Sequence, residues 1–273
     1  MDVLKGVTIV NMALNLPGPA AAQRLSRMGA EVVKVEPPGG DPMFTYYPDW
    51  YCDMAAGHRI VTLDLKAEED KQRFLTILDS ADVLISATRP AAMKRLGLSP
   101  ATLRATFPKL CAVMIVGYPS PRDNEAGHDL TYQAAMGLID PPHMPRTLLS
   151  DMAGSEQTVS AVLSLLFHRE RTGSGGHATV ALSSAVRIYA EPLKYGSTTP
   201  GASLGGGIPE YNIYKTTDGW VAVAALEPHF KKRLEETLNI TTLDGYRTAF
   251  LSDSSINWQK WGQALDVPIE IVR

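Results

Sequence analysis

Apolar positions in the first part of the chain fall into short continuous runs, separated by polar stretches of helical period. Residues 7–10 form one such run, and the turn-rich LNLPGP follows it. Residues 20–28 have helical composition, with Leu25 and Met28 on one face; Gly29 ends that helix, and EVVKVEPP reads as a buried strand halted by two prolines. The pattern then repeats. Residues 60–65 alternate as a strand, and residues 67–80 form an amphipathic helix with Phe74, Ile77 and Leu78 on one side. Residues 82–85 are another buried strand, followed by a short basic helix around AAMKRLGL, a helix from Pro100 and the strand LCAVMIV. Strands alternating with helices through right-handed crossovers predict a doubly wound α/β domain on a parallel sheet.

Farther along, residues 151–172 predict a long helix whose apolar stripe is Val159, Val162, Leu163, Leu166 and Phe167. TGSGGH then turns into the strand ATVAL. The stretch KYGSTTPGASLGGGI (194–208) is poor in core formers, and its glycines do not sit between a strand and a helix. It reads as a linker, not as a phosphate loop. Beyond it, YNIYKTTDGWVAVAAL predicts a hairpin turning at Thr217-Asp218-Gly219, and HFKKRLEETLN a helix. The expected organisation is a large Rossmann-like domain over 1–193, a Gly-rich linker over 194–208, and a small α+β domain over 209–262.

Composition narrows the function classes. With 45% hydrophobic and 20% charged residues in 273, the chain has the balance of a soluble globular protein. A net charge of −3 with mixed signs gives no footprint for nucleic acid. No apolar run is long enough for a bilayer, and MDVLKGVTIV is not a secretory signal, so the expected location is cytoplasmic, off the membrane. Cys52 and Cys111 lie far apart without CxxC spacing or a histidine cluster, so no metal is expected, and Cys111 reads as a buried thiol in a strand.

Four stretches, in order over roughly residues 3–230, resemble the class III CoA-transferase (CaiB/BaiF) superfamily, and within it the α-methylacyl-CoA racemase branch. They are LKGVTIVNMALNLPGPAAAQRLSRMGAEVVKVEPPGGD; IVTLDLK with ADVLISATRPAAMKRLGL; GHDLTYQAAMG; and the hairpin ending AALEPHF. The resemblance implies a Rossmann-like CoA-binding large domain joined by linkers to a small domain, and two chains interlocked as a homodimer. DVPIEIVR resembles the start of the family's return to the large domain, here over 263–273.

The resemblance also implies a site. His128 in GHDLTYQ matches the racemase version of that stretch, Asp151 in LLSDMAGSEQT stands where the family places its catalytic aspartate, and Glu227 in LEPHF matches the glutamate that orients the histidine. Removing the α-proton of an acyl thioester requires a placed base and a stabilised enolate oxygen; racemisation needs a second group to return a proton on the opposite face. A neutral histidine and a carboxylic acid suit that exchange. Asp151 opens the long helix, so backbone N–H groups around Met152–Gly154 are expected to face the thioester oxygen. Each residue also has an ordinary structural reading. His128 and Asp129 could cap the helix LTYQAAMG, Asp151 could be an N-cap, and Glu227-Pro228 could be a plain helix start with Pro at its first position.

For the CoA part of the substrate, Leu63 and Lys66 in TLDLK, Arg95 in MKRLGL and Arg59 in AAGHR match CoA-contacting positions of the family. No prosthetic group is implied. Pro37 stands where the family commonly has arginine, and Ala87-Thr88 replace its usual Asn-Phe, which weakens the expected adenine and phosphate contacts. The first functional reading is an acyl-CoA racemase or epimerase. The second is a CoA transferase in which Asp151 forms an aspartyl-CoA anhydride, and the third is a non-catalytic acyl-thioester-binding member.

Overall fold

The continuous apolar runs pair side by side. In the computed structural model, which describes residues 2–273, β1 (Thr8–Asn11), β2 (Glu31–Glu36), β3 (Arg59–Thr62), β4 (Val83–Ser86), β5 (Cys111–Val116) and β6 (His177–Ala181) form one parallel sheet. Every residue of β4 and β5 is buried, as strands covered on both faces must be. Burial also pushes the Cys111 thiol up. On one face Ile9, Val32 and Val113 pack against Leu25 of α1 (Pro17–Ser26) and Val159 and Val162 of α8 (Leu149–Thr172). On the other, Val10, Val33 and Leu84 meet Phe74 and Leu78 of α4 (Glu68–Asp79), Met93 of α5 (Pro90–Arg95) and Leu103 of α6 (Pro100–Thr106).

The strand order is β3-β2-β1-β4-β5-β6. Strand addition therefore reverses between β1 and β4, where Ile9 pairs with Val32 on one side and Val83 on the other. The crossovers diverge at that point and leave a crevice outside the carboxyl ends of the strands. Two short helices, α2 (Pro42–Tyr46) and α3 (Pro48–Ala55), fill a stretch without an assignment in the periodicity; each begins with proline, and Asp41 caps α2 by accepting from Met43 N at 3.0 Å. Past β5 come α7 (Asp129–Ala135), α8, β6 and α9 (Leu182–Ala185).

The chain divides into two compact units, Met1–Ile188 and Tyr189–Arg273. In the second, after the short α10 (Glu191–Lys194), β7 (Tyr211–Lys215) and β8 (Trp220–Ala224) form an antiparallel hairpin, with α11 (Pro228–Leu238), α12 (Leu243–Phe250) and α13 (Ser255–Leu265) following it. Tyr214, Tyr246, Phe250 and Trp258 build its core. The Gly-rich stretch 194–208 belongs to this unit, and Asn212 Nδ2 donates to Gly206 O at 2.9 Å where Gly206 takes a φ of +83°. Residues 263–273, where the resemblance implies the start of a return to the large domain, pack within this second unit. They finish α13 and lay β9 (Ile269–Ile271) along β8, because Val267 and Ile269 bury themselves in the small core. No helix among the described residues is long and apolar enough to cross a membrane.

Candidate active site

The loop after β5 leads to His128, which has extended backbone and precedes α7. Thr131 folds back on it, its hydroxyl accepting from His128 N at 3.2 Å, while the histidine as a whole stays exposed. The next residue turns inward. Asp129 is only 4% exposed, and its carboxylate meets three uncharged donors. Its Oδ1 accepts from Ser150 N at 2.7 Å and Asp151 N at 3.1 Å, and its Oδ2 accepts from Gln133 Nε2 at 2.6 Å. Gln133 Nε2 also donates to Thr147 O at 3.0 Å, just before α8 begins. One carboxylate thus fastens the start of α8 to the start of α7.

Asp151 is the third residue of α8 and half-buried. Burial, and then the negative charge of Asp129, push its carboxyl up to about 7. A carboxyl in that range both takes and gives protons at neutral pH. Tyr132 is buried close by and pushed up to about 12, first by burial, then by Tyr118 and the charge of Asp151, with Arg89 acting in the opposite sense. Its ring fits because two glycines face it: a Cβ at Gly117 would fall 2.4 Å from the Tyr132 hydroxyl, and one at Gly127 2.6 Å from the ring. Leu130, Leu148 and Met152 are exposed apolar side chains next to these residues in the chain.

One expectation is corrected here. The N–H groups around Met152–Gly154 are expected to face a thioester oxygen, but Met152 gives its own to Leu148 O at 3.0 Å, and the open N–H groups before it, those of Ser150 and Asp151, go to Asp129. Ala153 and Gly154 lie deeper in the helix, where carbonyls one turn back are available. Asp129 was read only as a possible cap of its own helix. Two of its three partners lie 21 and 22 residues ahead, beyond the reach of local spacing.

His128 precedes α7 and Asp151 stands in the first turn of α8, and Asp129 ties these two helix starts together. Glu227 is in the second unit, where it precedes α11 with Pro228 at the first helical position and makes no side-chain cap bond. Leu63 and Lys66 line a cleft of about 210 Å³ at the carboxyl ends of β1 to β4, together with Met12, Pro37 and Thr88. Leu63 is itself buried and donates its N–H to Glu36 O at 2.8 Å. Arg95 and Arg59 are exposed and do not line this cleft; Arg59 begins β3, at the end of that strand away from it. Among the described residues no group of three or more His, Cys, Asp or Glu is placed to hold a metal ion.

A second buried polar cluster lies at the end of β2. Lys34, 1% exposed, places Nζ 2.6 Å from Asp41 Oδ2 and 3.3 Å from Glu36 Oε1. Tyr51 OH donates to Glu36 Oε1 at 2.7 Å, and Asp41 Oδ1 accepts from Asn15 N and Met43 N, both at 3.0 Å. His58 has both ring nitrogens buried; burial and the charge of Lys34 hold it down at about 4, so it is neutral.

With this geometry in hand, comparison with known proteins is decisive for the family. The model of CoA-transferase family III matches residues 4–268. The chain belongs to that family. Among its relatives is a probable fatty acyl-CoA transferase of Mycobacterium tuberculosis, 29% identical over 97% of this chain and 76% of its own length. The α-methylacyl-CoA racemase of Mus musculus is 33% identical over 87% of this chain and 65% of its own. The succinyl-CoA:mesaconate CoA-transferase of Haloarcula hispanica is 29% identical over 82% and 64%. The chain thus spans between 64% and 76% of the length of these curated relatives. A crystal structure of the M. tuberculosis protein is similar at a TM-score of 0.84 and 26% identity, covering 100% of this chain and 86% of that one. A CaiB/BaiF family protein from Brucella suis shares the fold at a TM-score of 0.83 and 24% identity. Family III relatives therefore include both transferases and a racemase, and the family's fold matches the parallel sheet and small antiparallel sheet described above.

Proposed function

We propose that this family III chain is a racemase or epimerase of 2-methylacyl-CoA-type thioesters, working by removal and return of the α-proton. The observation that carries this reading is Asp151, a half-buried carboxyl raised to about 7 beside Asp129, on a helix start fastened to the one that His128 opens. One of the pair takes the α-proton, the electron pair moves onto the thioester oxygen as an enolate, and the other delivers a proton to the opposite face. The cleft containing Leu63 and Lys66 belongs to this reading as the place for the CoA moiety, with Arg95 as an outer phosphate contact. Exposed Leu130, Leu148 and Met152 suit an apolar acyl group. An interlocked homodimer accompanies this reading, and light scattering of the purified protein checks it.

The relatives support a second reading. The relative covering 97% of the chain is named a probable fatty acyl-CoA transferase. In a transferase, an Asp151 carboxylate oxygen attacks the thioester carbonyl, the CoA thiolate leaves, and a mixed anhydride forms. Nucleophilic attack needs the ionised form, whereas a carboxyl raised to about 7 is half protonated at neutral pH and mostly protonated below it, which suits proton exchange.

Incubation with a 2-methylacyl-CoA in heavy water, with and without a free carboxylate acceptor, separates the readings. The racemase reading expects deuterium at the α-carbon, reduced about 10³-fold by Asp151→Asn and by His128→Ala. Acyl-CoA formed on the acceptor without α-exchange would establish the transferase. Binding with neither reaction would leave a thioester-binding protein.

A further inference from the structure

Resting on the reading of Asp151 as the proton-exchanging group, we propose that Asp129 is a positioning residue: its buried carboxylate pins the first turn of α8 and thereby sets where the Asp151 carboxyl stands. Helix starts leave their first N–H groups without intrahelical partners. Here those of Ser150 and Asp151 are taken by a single oxygen, Asp129 Oδ1, at 2.7 and 3.1 Å. The second oxygen is held by Gln133 Nε2 at 2.6 Å, and that same amide group grips Thr147 O at 3.0 Å, immediately ahead of the helix. Asp129 is therefore tied on both sides by donors that bear no charge, and no rotation of its side chain keeps all three bonds. An exposed cap would leave α8 free to fray. A carboxylate that is 4% exposed does not.

The arrangement has an electrostatic consequence. A charge held by neutral donors is stabilised but not cancelled, so Asp151 faces a fixed negative neighbour within a poorly hydrated turn. The other ionisable group facing Asp151 from α7 is Tyr132, pushed up to about 12 and thus neutral; Arg89, just ahead of α5, bears on Tyr132. From α1, Arg24 pairs with Glu156 at 3.3 Å, more than one turn farther along α8. Asp129 therefore does two things through one side chain. It places the Asp151 backbone, and it disfavours loss of the Asp151 proton.

Two measurements test this without substrate. The first is a carbon-13 titration of the Asp151 carboxyl in the wild type and in Asp129→Asn, which keeps an acceptor oxygen for the two amides but removes the charge. The Asp151 midpoint is expected to fall by about one pH unit, staying above the ordinary range because burial remains; an unmoved midpoint in a folded variant overturns the proposal. The second is amide hydrogen exchange in the wild type, which needs no variant to fold. Ser150 and Asp151 N–H are expected to be protected although they sit in a first turn, and exchange as fast as open first-turn amides overturns the proposal. A purely structural cap would slow those amides yet leave the Asp151 midpoint in Asp129→Asn unchanged. If both results hold but the wild type exchanges no α-proton, the functional reading fails and the role of Asp129 stands.

Discussion

The large unit buries carboxylates in two places, and the two are built on opposite terms. At the end of β2, Glu36 and Asp41 share the ammonium of Lys34, with Tyr51 and two backbone N–H groups completing the set. At the starts of α7 and α8, Asp129 is satisfied by neutral donors and stands beside another carboxyl, Asp151. The first cluster locks its charges and leaves nothing to exchange. The second holds one proton whose loss is balanced close to neutral pH. Burial alone does not make a site reactive; the partner does, since a cation fixes a carboxylate and a like charge unsettles its neighbour.

Removing the cation from the first cluster should have the largest effect on stability. Lys34→Met leaves Glu36 and Asp41 buried without their shared charge, and a loss of about 3–5 kcal/mol is expected in chemical denaturation of the protein. A loss below about 1 kcal/mol would mean that Lys34 does not neutralise them, and the contrast would collapse.

The second cluster predicts a pH-dependent effect of the opposite direction. Asp151 keeps its proton to about pH 7 when folded, while an unfolded aspartate ionises near 4. The folded state therefore binds more protons between those values, and its stability falls as pH rises through that window. Asp151→Asn, which has no proton to lose, is expected to be more stable than the wild type at pH 8, by at most about 4 kcal/mol, with the difference shrinking toward pH 4. Thermal unfolding of both proteins across that range reads it directly; parallel curves would show that Asp151 titrates alike in both states.

A smaller effect tests the frame behind the second cluster. A Cβ at Gly117 would stand 2.4 Å from the Tyr132 hydroxyl, so Gly117→Ala must displace α7 or the ring. A cost of about 1–3 kcal/mol is expected, together with a shift in the Asp151 midpoint. Loss of stability with no such shift would show that α7 does not govern the electrostatics of Asp151.

The parallel sheet was legible because buried parallel strands are continuous apolar runs: VLIS and CAVMIV announce themselves without knowledge of their partners. The hairpin was legible from Thr217-Asp218-Gly219, and α8 from Val159, Val162 and Leu166 of its stripe, although Leu163 and Phe167 of the same stripe are exposed; the stripe also placed Asp151 in a first turn. What stayed hidden depends on distant partners. The helices α2 and α3 are broken by prolines and crowded with aromatic residues, so no period emerges. β9 has three residues and is a strand only because β8 lies beside it. At the site, the family resemblance supplied His128 and Asp151, but not the reach of Asp129 to the next helix. Lys34 left one signal, a lysine in the middle of the buried run VVKVE, which asks for a buried counter-charge that the sequence does not locate.

The most direct measurement is the titration of the Asp151 carboxyl in the wild-type protein by carbon-13 NMR. A midpoint near 7, well above the ordinary carboxylate value of about 4, is the predicted result. A midpoint in that ordinary range would contradict the claim that this helix start holds an exchangeable proton.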